Sequence, residues 1–237
     1  MLICINLVVI HPNKTSPRAM INKTYLFEKL LSYCDNVQGV DEQVLDAHLQ
    51  KHGLTIRADH RSFLLKYGNS NSLLKFGFAD YTYALFEQYT SDSEEYFSGI
   101  DELPKGTNFI GHDITDDILC INNQSGKIYG YEDQELSDCY YVNIDALLFL
   151  CLIQCLRNQK MLPVSELVIV EKDEKEQFFQ QQAAYHLVGL DNFFTKYFLK
   201  ENQLIYCRKS SNGAYAVEYL QGEVLNSIAH EGLLFKN

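Results

Sequence analysis

Basic side chains are in short supply in this 237-residue chain: 20 lysines and arginines face 31 acids, a formal charge of −11 at pH 7. Proteins that coat themselves with nucleic-acid phosphate or an anionic membrane exchange counterions for Lys and Arg, so the shortage argues against both associations. Basic partners stay open. Tryptophan is absent altogether. No apolar run is long enough to cross a bilayer: the opening MLICINLVVI covers only ten residues and reads as a buried strand. No Lys or Arg precedes it and no small-residue cleavage site follows, so a secretory signal is not expected.

The common chemical signatures are missing too. There is no Gly-rich phosphate loop, no Gly-x-Ser-x-Gly elbow and no zinc-deaminase motif, and His230-Glu231 lacks the second histidine of a zinc protease. His48 and His52 stand four apart on an expected helix, a spacing that can chelate zinc, yet no Glu follows His48 and no third ligand is near. They read as partly exposed histidines. HDITDD, residues 112–117, lacks the alternating oxygens and internal glycine of a calcium loop and reads as a turn between strands. The seven cysteines are an odd set scattered through apolar stretches, which fits reduced, buried residues of a cytoplasmic protein, with Cys151 and Cys155 in the core. No catalytic residue, metal or cofactor is assigned.

With 46% apolar residues the chain can close a core without metals or disulfides. Its negative charge is unevenly placed. Twelve acids and only two bases, Lys105 and Lys127, lie between Ser91 and Asp138, so ten units of the net charge sit in that central segment. One reading is a phosphate-like surface that docks on a basic partner, since complementary charge speeds encounter and selects the partner. The other is that turns between strands are acidic because they are wet. The interleaved Tyr96, Phe97, Tyr129, Tyr131, Tyr140 and Tyr141 would suit an interface, and tyrosines alternating on strands serve a core equally well. The residues chosen as candidate partner contacts are Glu94, Glu95, Asp113, Asp116, Asp117, Tyr131, Glu132 and Asp133.

Along the chain, residues 11–18 have loop composition. Tyr25, Leu26, Leu30, Leu31 and Cys34 then recur at helical spacing behind Asn22 as N-cap. A second helix is expected over 41–52, with Val44, Leu45, His48 and Leu49 on one side and Gly53 at its end. A third is expected in ADHRSFLLKYGN, with Asp59 as its cap and Gly68 as its stop. SLLKFGF, DYTYALFEQYT, TNFIGHD, DDILCIN, GKIYGYE and CYYVN follow as short strands. INNQSGKIY reads as a hairpin whose Asn122, Asn123, Ser125 and Gly126 supply positive-φ positions. A buried helix over 144–157 is capped by Asn143. Beyond it come a short apolar run in 161–170, a long helix over 177–199 carrying Phe178, Phe179, Leu187, Leu190, Phe193, Phe194 and Phe198, then a hairpin from LIYCRK and AYAVEYL and a short helix near 223–229.

The order of these pieces carries a family resemblance. Phe63, Leu64 and Tyr67 form an aromatic-leucine helix; Ile110, Gly111 and Asp113 an apolar-Gly-x-Asp turn; Asp117, Ile118 and Leu119 an acid-led apolar strand; Gly126 and Tyr129 a hairpin; Asn143 and Leu147 the start of a last helix. In order and spacing, residues 41–157 resemble the SUKH superfamily, the group that contains fungal cell-wall assembly regulators and many bacterial immunity proteins. The sequence departs from that pattern at Arg57-Ala58, where Leu-Pro is usual, and at Gly68-Asn69, which inverts the family's Asn-Gly. It also lacks the family's frequent tryptophans.

The resemblance implies an α+β fold, a twisted, mostly antiparallel sheet flanked by helices. The SUKH-like domain is 41–158; the resemblance does not reach the two ends, where the local patterns give an N-terminal strand and helix over 1–40 and a C-terminal α/β extension packed on the domain over 159–237. The resemblance also implies an immunity-type protein of the cytoplasm that binds and neutralises a cognate toxin, a basic nuclease or deaminase domain, by covering its surface. No catalytic residues belong to the family pattern. The alternative is a regulatory scaffold that binds cellular proteins; a small hydrolase assembled from scattered residues is the third reading.

Overall fold

In a computed structural model of the chain, the described residues are 22–74, 103–112, 118–132 and 135–230. The expected opening strand, the loop at 11–18 and the strand run DYTYALFEQYT lie outside them.

Three helices open the described chain. Helix α1 (Lys23–Leu31) starts where the Asn22 side chain accepts the N–H of Tyr25 at 3.1 Å, and α2 (Glu42–Lys51) where Asp41 accepts those of Gln43 and Val44. Each cap satisfies a donor that a helix start leaves unpaired. On α2 Leu45 is buried, but Val44 faces solvent. Helix α3 (Ala58–Tyr67) begins one residue before the expected cap, Asp59, whose carboxylate instead takes the Arg57 guanidinium at 2.9 Å. The expected strand at SLLKFGF is a helical turn where it is described, α4 (Asn71–Leu74). The reason is burial. Leu73 and Leu74 both enter the core from this helical turn. Buried Ser70 fixes the entry, its hydroxyl donating to the carbonyl of Gln38 at 2.9 Å.

The next strands, β1 (Thr107–His112), β2 (Ile118–Asn122), β3 (Ile128–Glu132) and β4 (Glu135–Tyr141), form a meander with every neighbouring pair antiparallel. The hairpin between β2 and β3 forms as expected, by a different division of labour. Asn122 acts through its side chain, which accepts from the amides of Gln124 and Ser125, and of the four residues named only Gly126 has positive φ, +74°. Gly126 also has no room for a side chain, since a Cβ there would stand 2.9 Å from the Arg57 guanidinium. That guanidinium donates to the carbonyls of Asn123 and Gln124, so Arg57 clamps α3 to the hairpin.

Helix α5 (Ile144–Asn158) begins where Asn143 accepts the N–H of Ala146 at 2.9 Å, and ten of its fifteen residues are buried. A second antiparallel sheet follows, from β5 (Val164–Val170), β6 (Thr195–Lys200), β7 (Gln203–Lys209) and β8 (Tyr215–Leu220), in the order β5-β8-β7-β6. The fold is α+β with two antiparallel four-stranded sheets flanked by helices, so the C-terminal extension carries a complete sheet rather than a hairpin plus cap.

The long helix expected over 177–199 is overturned. Helix α6 spans only Lys175–Gln182, a 3₁₀ turn takes Ala183–Tyr185, and β6 takes the end of the segment. Gly189 at φ +80° leaves helical geometry, and Asp191 and Asn192 accept the amides of Tyr197 and Phe194 in the turn that launches β6. Along β6, Tyr197 and Leu199 enter the main core while Phe198 enters a smaller one, the two-residue period of a strand.

The main core is continuous across both sheets. Leu26, Leu64, Phe109, Leu147 and Leu152 share it with Tyr197, Leu204, Leu220 and, from helix α7 (Glu223–His230), Ile228. Phe149 is the joint: its ring meets Phe27 edge-on at 6.0 Å and Tyr197 at 4.9 Å. The smaller core packs Phe178 and Phe179, from α6, against Phe198, Cys207 and Val217.

Candidate functional site

The acidic residues are far apart in sequence, and strand register decides what they can do together. His112 pairs with Ile118 across the β1–β2 connection, Ile118 with Tyr131, Tyr131 with Leu136, and Glu132 with Glu135. The strand ends that flank residues 113–117 and residues 133–134 therefore stand side by side at one end of the first sheet. Of the candidate contacts, Glu94, Glu95, Asp113, Asp116, Asp117 and Asp133 lie outside the described residues, as do Tyr96 and Phe97. Glu132 is the last residue of β3. Tyr131 is only 7% exposed, so it supports the sheet and offers a partner little area. Tyr141 is buried as well, while Tyr129 and Tyr140 are partly exposed.

A second surface lies at the opposite end of β4. Since Ile128 pairs with Tyr141 and Tyr131 with Leu136, it stands about 17 Å along the strand from the acidic end. Here the segment leading into β6 joins the first sheet: Phe193 N–H donates to the carbonyl of Tyr140 at 2.9 Å, and Tyr141 bridges Asn192. The rings of Tyr140, Phe193 and Phe194 cluster at centroid distances of 6.3, 5.6 and 4.8 Å, and the Lys209 ammonium lies 5.5 Å over Phe193. Phe193, Phe194 and Val142 are exposed. Sequence reasoning placed Phe193 and Phe194 on a helix face and missed this cluster. The adjacent Asp191-Asn192, a turn signal, was the cue available.

The most polar arrangement in the second sheet is His186 with Asp191. Nε2 lies 2.6 Å from Oδ2 of Asp191, which also sits 3.9 Å from the Lys196 ammonium, while Oδ1 accepts the N–H of Tyr197. The carboxylate is fully engaged in holding the turn. Cys207, on the same side of the sheet, is buried, and burial pushes its thiol up to about 12. It stays a protonated thiol rather than a nucleophile.

Cys151 and Cys155 are core residues, as the apolar helix implied, and all six described cysteines are free. The contact with Cys155 and burial push the Cys34 thiol up. The rings of His48 and His52 stand 4.6 Å apart, and among the described residues no group of three or more His, Cys, Asp or Glu is placed to hold a metal ion. Nor is any described helix long and apolar enough to cross a membrane. No protein-family model, no curated protein and no solved structure matches the chain.

Proposed function

We propose that the chain is a cytoplasmic, immunity-type module of the SUKH kind that neutralises a basic toxin domain, a nuclease or deaminase, by covering its surface without chemistry of its own. The observation that carries this reading is the register of the first sheet. It sets His112, Ile118, Tyr131 and Glu132, strand residues that flank the two acidic connections, next to each other at one end of the sheet. Charges converging on one end give a partner a directional field, whereas charges spread over unrelated turns would largely screen one another.

The test is binding and protection by the toxin domain encoded beside this gene, for the native chain and for one carrying Asp116→Lys, Asp117→Lys, Glu132→Lys and Asp133→Lys. Association at low salt should slow roughly tenfold or more in the variant, and its salt dependence should flatten. Unchanged binding removes the acidic end as the interface, and absence of any complex or protection removes the immunity reading. The Tyr140–Phe193–Phe194 cluster favours a second reading, a regulatory scaffold that docks cellular proteins on exposed aromatic rings.

A further inference from the structure

Two thiols from distant parts of the chain meet where α1 packs on α5. Phe27 and Phe149 fix the pairing of the two helices, edge-on at 6.0 Å. Cys34 lies seven residues beyond the first ring and Cys155 six beyond the second, each close to two helical turns further on. The Cys34 N–H donates to the Leu31 carbonyl at 3.0 Å, which keeps the chain winding past the end of α1. Cys155 stands in the last turn of α5. The two side chains are hydrogen-bonded to each other. Cys34 is half-buried and Cys155 is 2% exposed.

Their surroundings divide the roles. Gln159 Nε2 donates to Sγ of Cys155 at 3.5 Å, whereas Sγ of Cys34 faces the Leu30 carbonyl at 3.6 Å, an acceptor for the thiol proton. Donors favour a thiolate and an acceptor favours the thiol. The hydrogen bond from Cys34 accordingly holds the Cys155 thiol below its ordinary value, against the effect of burial. Cys120, Cys139, Cys151 and Cys207 are all pushed up, chiefly by burial.

We infer that Cys34 and Cys155 form a reversible disulfide site whose oxidant is hydrogen peroxide. The Cys155 thiolate attacks one peroxide oxygen; an S–O bond forms, the O–O bond breaks and hydroxide leaves, so Cys155 becomes a sulfenic acid. The Cys34 sulfur then attacks that of Cys155: an S–S bond forms, the S–O bond breaks, and the hydroxyl departs as water with the Cys34 proton. Two electrons pass from the sulfurs to the peroxide. The product ties the end of α1 to the end of α5, and a small thiol reverses it by exchange.

The experiment exposes the reduced, folded full chain to hydrogen peroxide, blocks the remaining thiols with N-ethylmaleimide, and maps the unreduced digest by mass spectrometry. A peptide pair joining Cys34 to Cys155, at monomer mass and lost on treatment with dithiothreitol, is expected. Cys155 should be consumed roughly tenfold or more faster than Cys120 and Cys207. In Cys34→Ala the reaction should stop at the sulfenic acid, so dimedone labels Cys155. Cysteines that all remain open to blocking after unfolding overturn the inference. So does a link from Cys155 to Cys151 or to any other cysteine, a link that forms only in urea, or equal consumption of the buried thiols.

Discussion

Replacing Phe149 with alanine is expected to loosen both halves of the molecule at once. The ring is buried in α5 and touches Phe27 of α1 on one side and Tyr197 of β6 on the other, edge-on at 6.0 and 4.9 Å. Truncating a buried Phe costs about 3–5 kcal/mol. The upper half of that range applies here, because two edge-to-face pairs, each adding ~0.5–1.5 kcal/mol beyond area burial, are lost with the ring. A loss of about 4 kcal/mol lowers the ratio of folded to unfolded chains roughly 1000-fold, a large part of a domain's usual total of ~5–15 kcal/mol. Phe149→Leu, which keeps most of the volume but loses both ring pairs, should cost about 1–3 kcal/mol, less than the alanine.

Native-state hydrogen exchange reads the two halves separately, which matters in a chain with no tryptophan to report on either. Peptides from α3 and β2 and peptides from β7 and β8 should lose protection together and by similar factors. Loss confined to one sheet, with the other unchanged, would refute the single continuous core and restore a separate C-terminal domain.

His60 is fully buried in α3, and burial holds its imidazole down to about 4, with the Asp59 carboxylate pulling weakly the other way. The unfolded chain takes up that proton near pH 6.5 and the folded chain only near 4. Stability is therefore complete above about pH 6.5 and falls by about 3 kcal/mol as pH drops through the window to 4; urea midpoints at pH 7 and 4.5 should differ, and His60→Leu should flatten the difference. Asn143→Ala removes the cap of α5 and should cost about 1 kcal/mol in the same urea assay, with no change expected if Ala146 finds another acceptor. Phe194→Ser, at an exposed ring, should change stability by less than about 1 kcal/mol; a larger loss would show that the aromatic cluster is structural rather than available to a partner.

Several local features were read correctly, although Asp59 does not cap α3 and Asn122, Asn123 and Ser125 do not take positive φ. Asn22 and Asn143 were named as caps because a cap is a contact between residues two or three apart, and the second helix was begun at Asp41, which proves to be its cap. The β2–β3 hairpin was legible for the same reason. The failures share a cause. Over 177–199 the aromatic and leucine spacings satisfy a helix, and it is pairing with β7 that makes TKYFLK a strand. At 73–74, two adjacent leucines gave no sign that both would be buried.

The sequence alone determined the sign and location of the charge, the helix starts and the absence of common catalytic motifs, because these are properties of composition or of neighbours a few residues apart. Tertiary structure decided which faces are covered. It buried Tyr131, exposed Phe193 and Phe194 and brought the flanks of two acidic connections together. Such outcomes depend on which strand lies beside which, and alternation along a strand names its two faces without saying what packs on either.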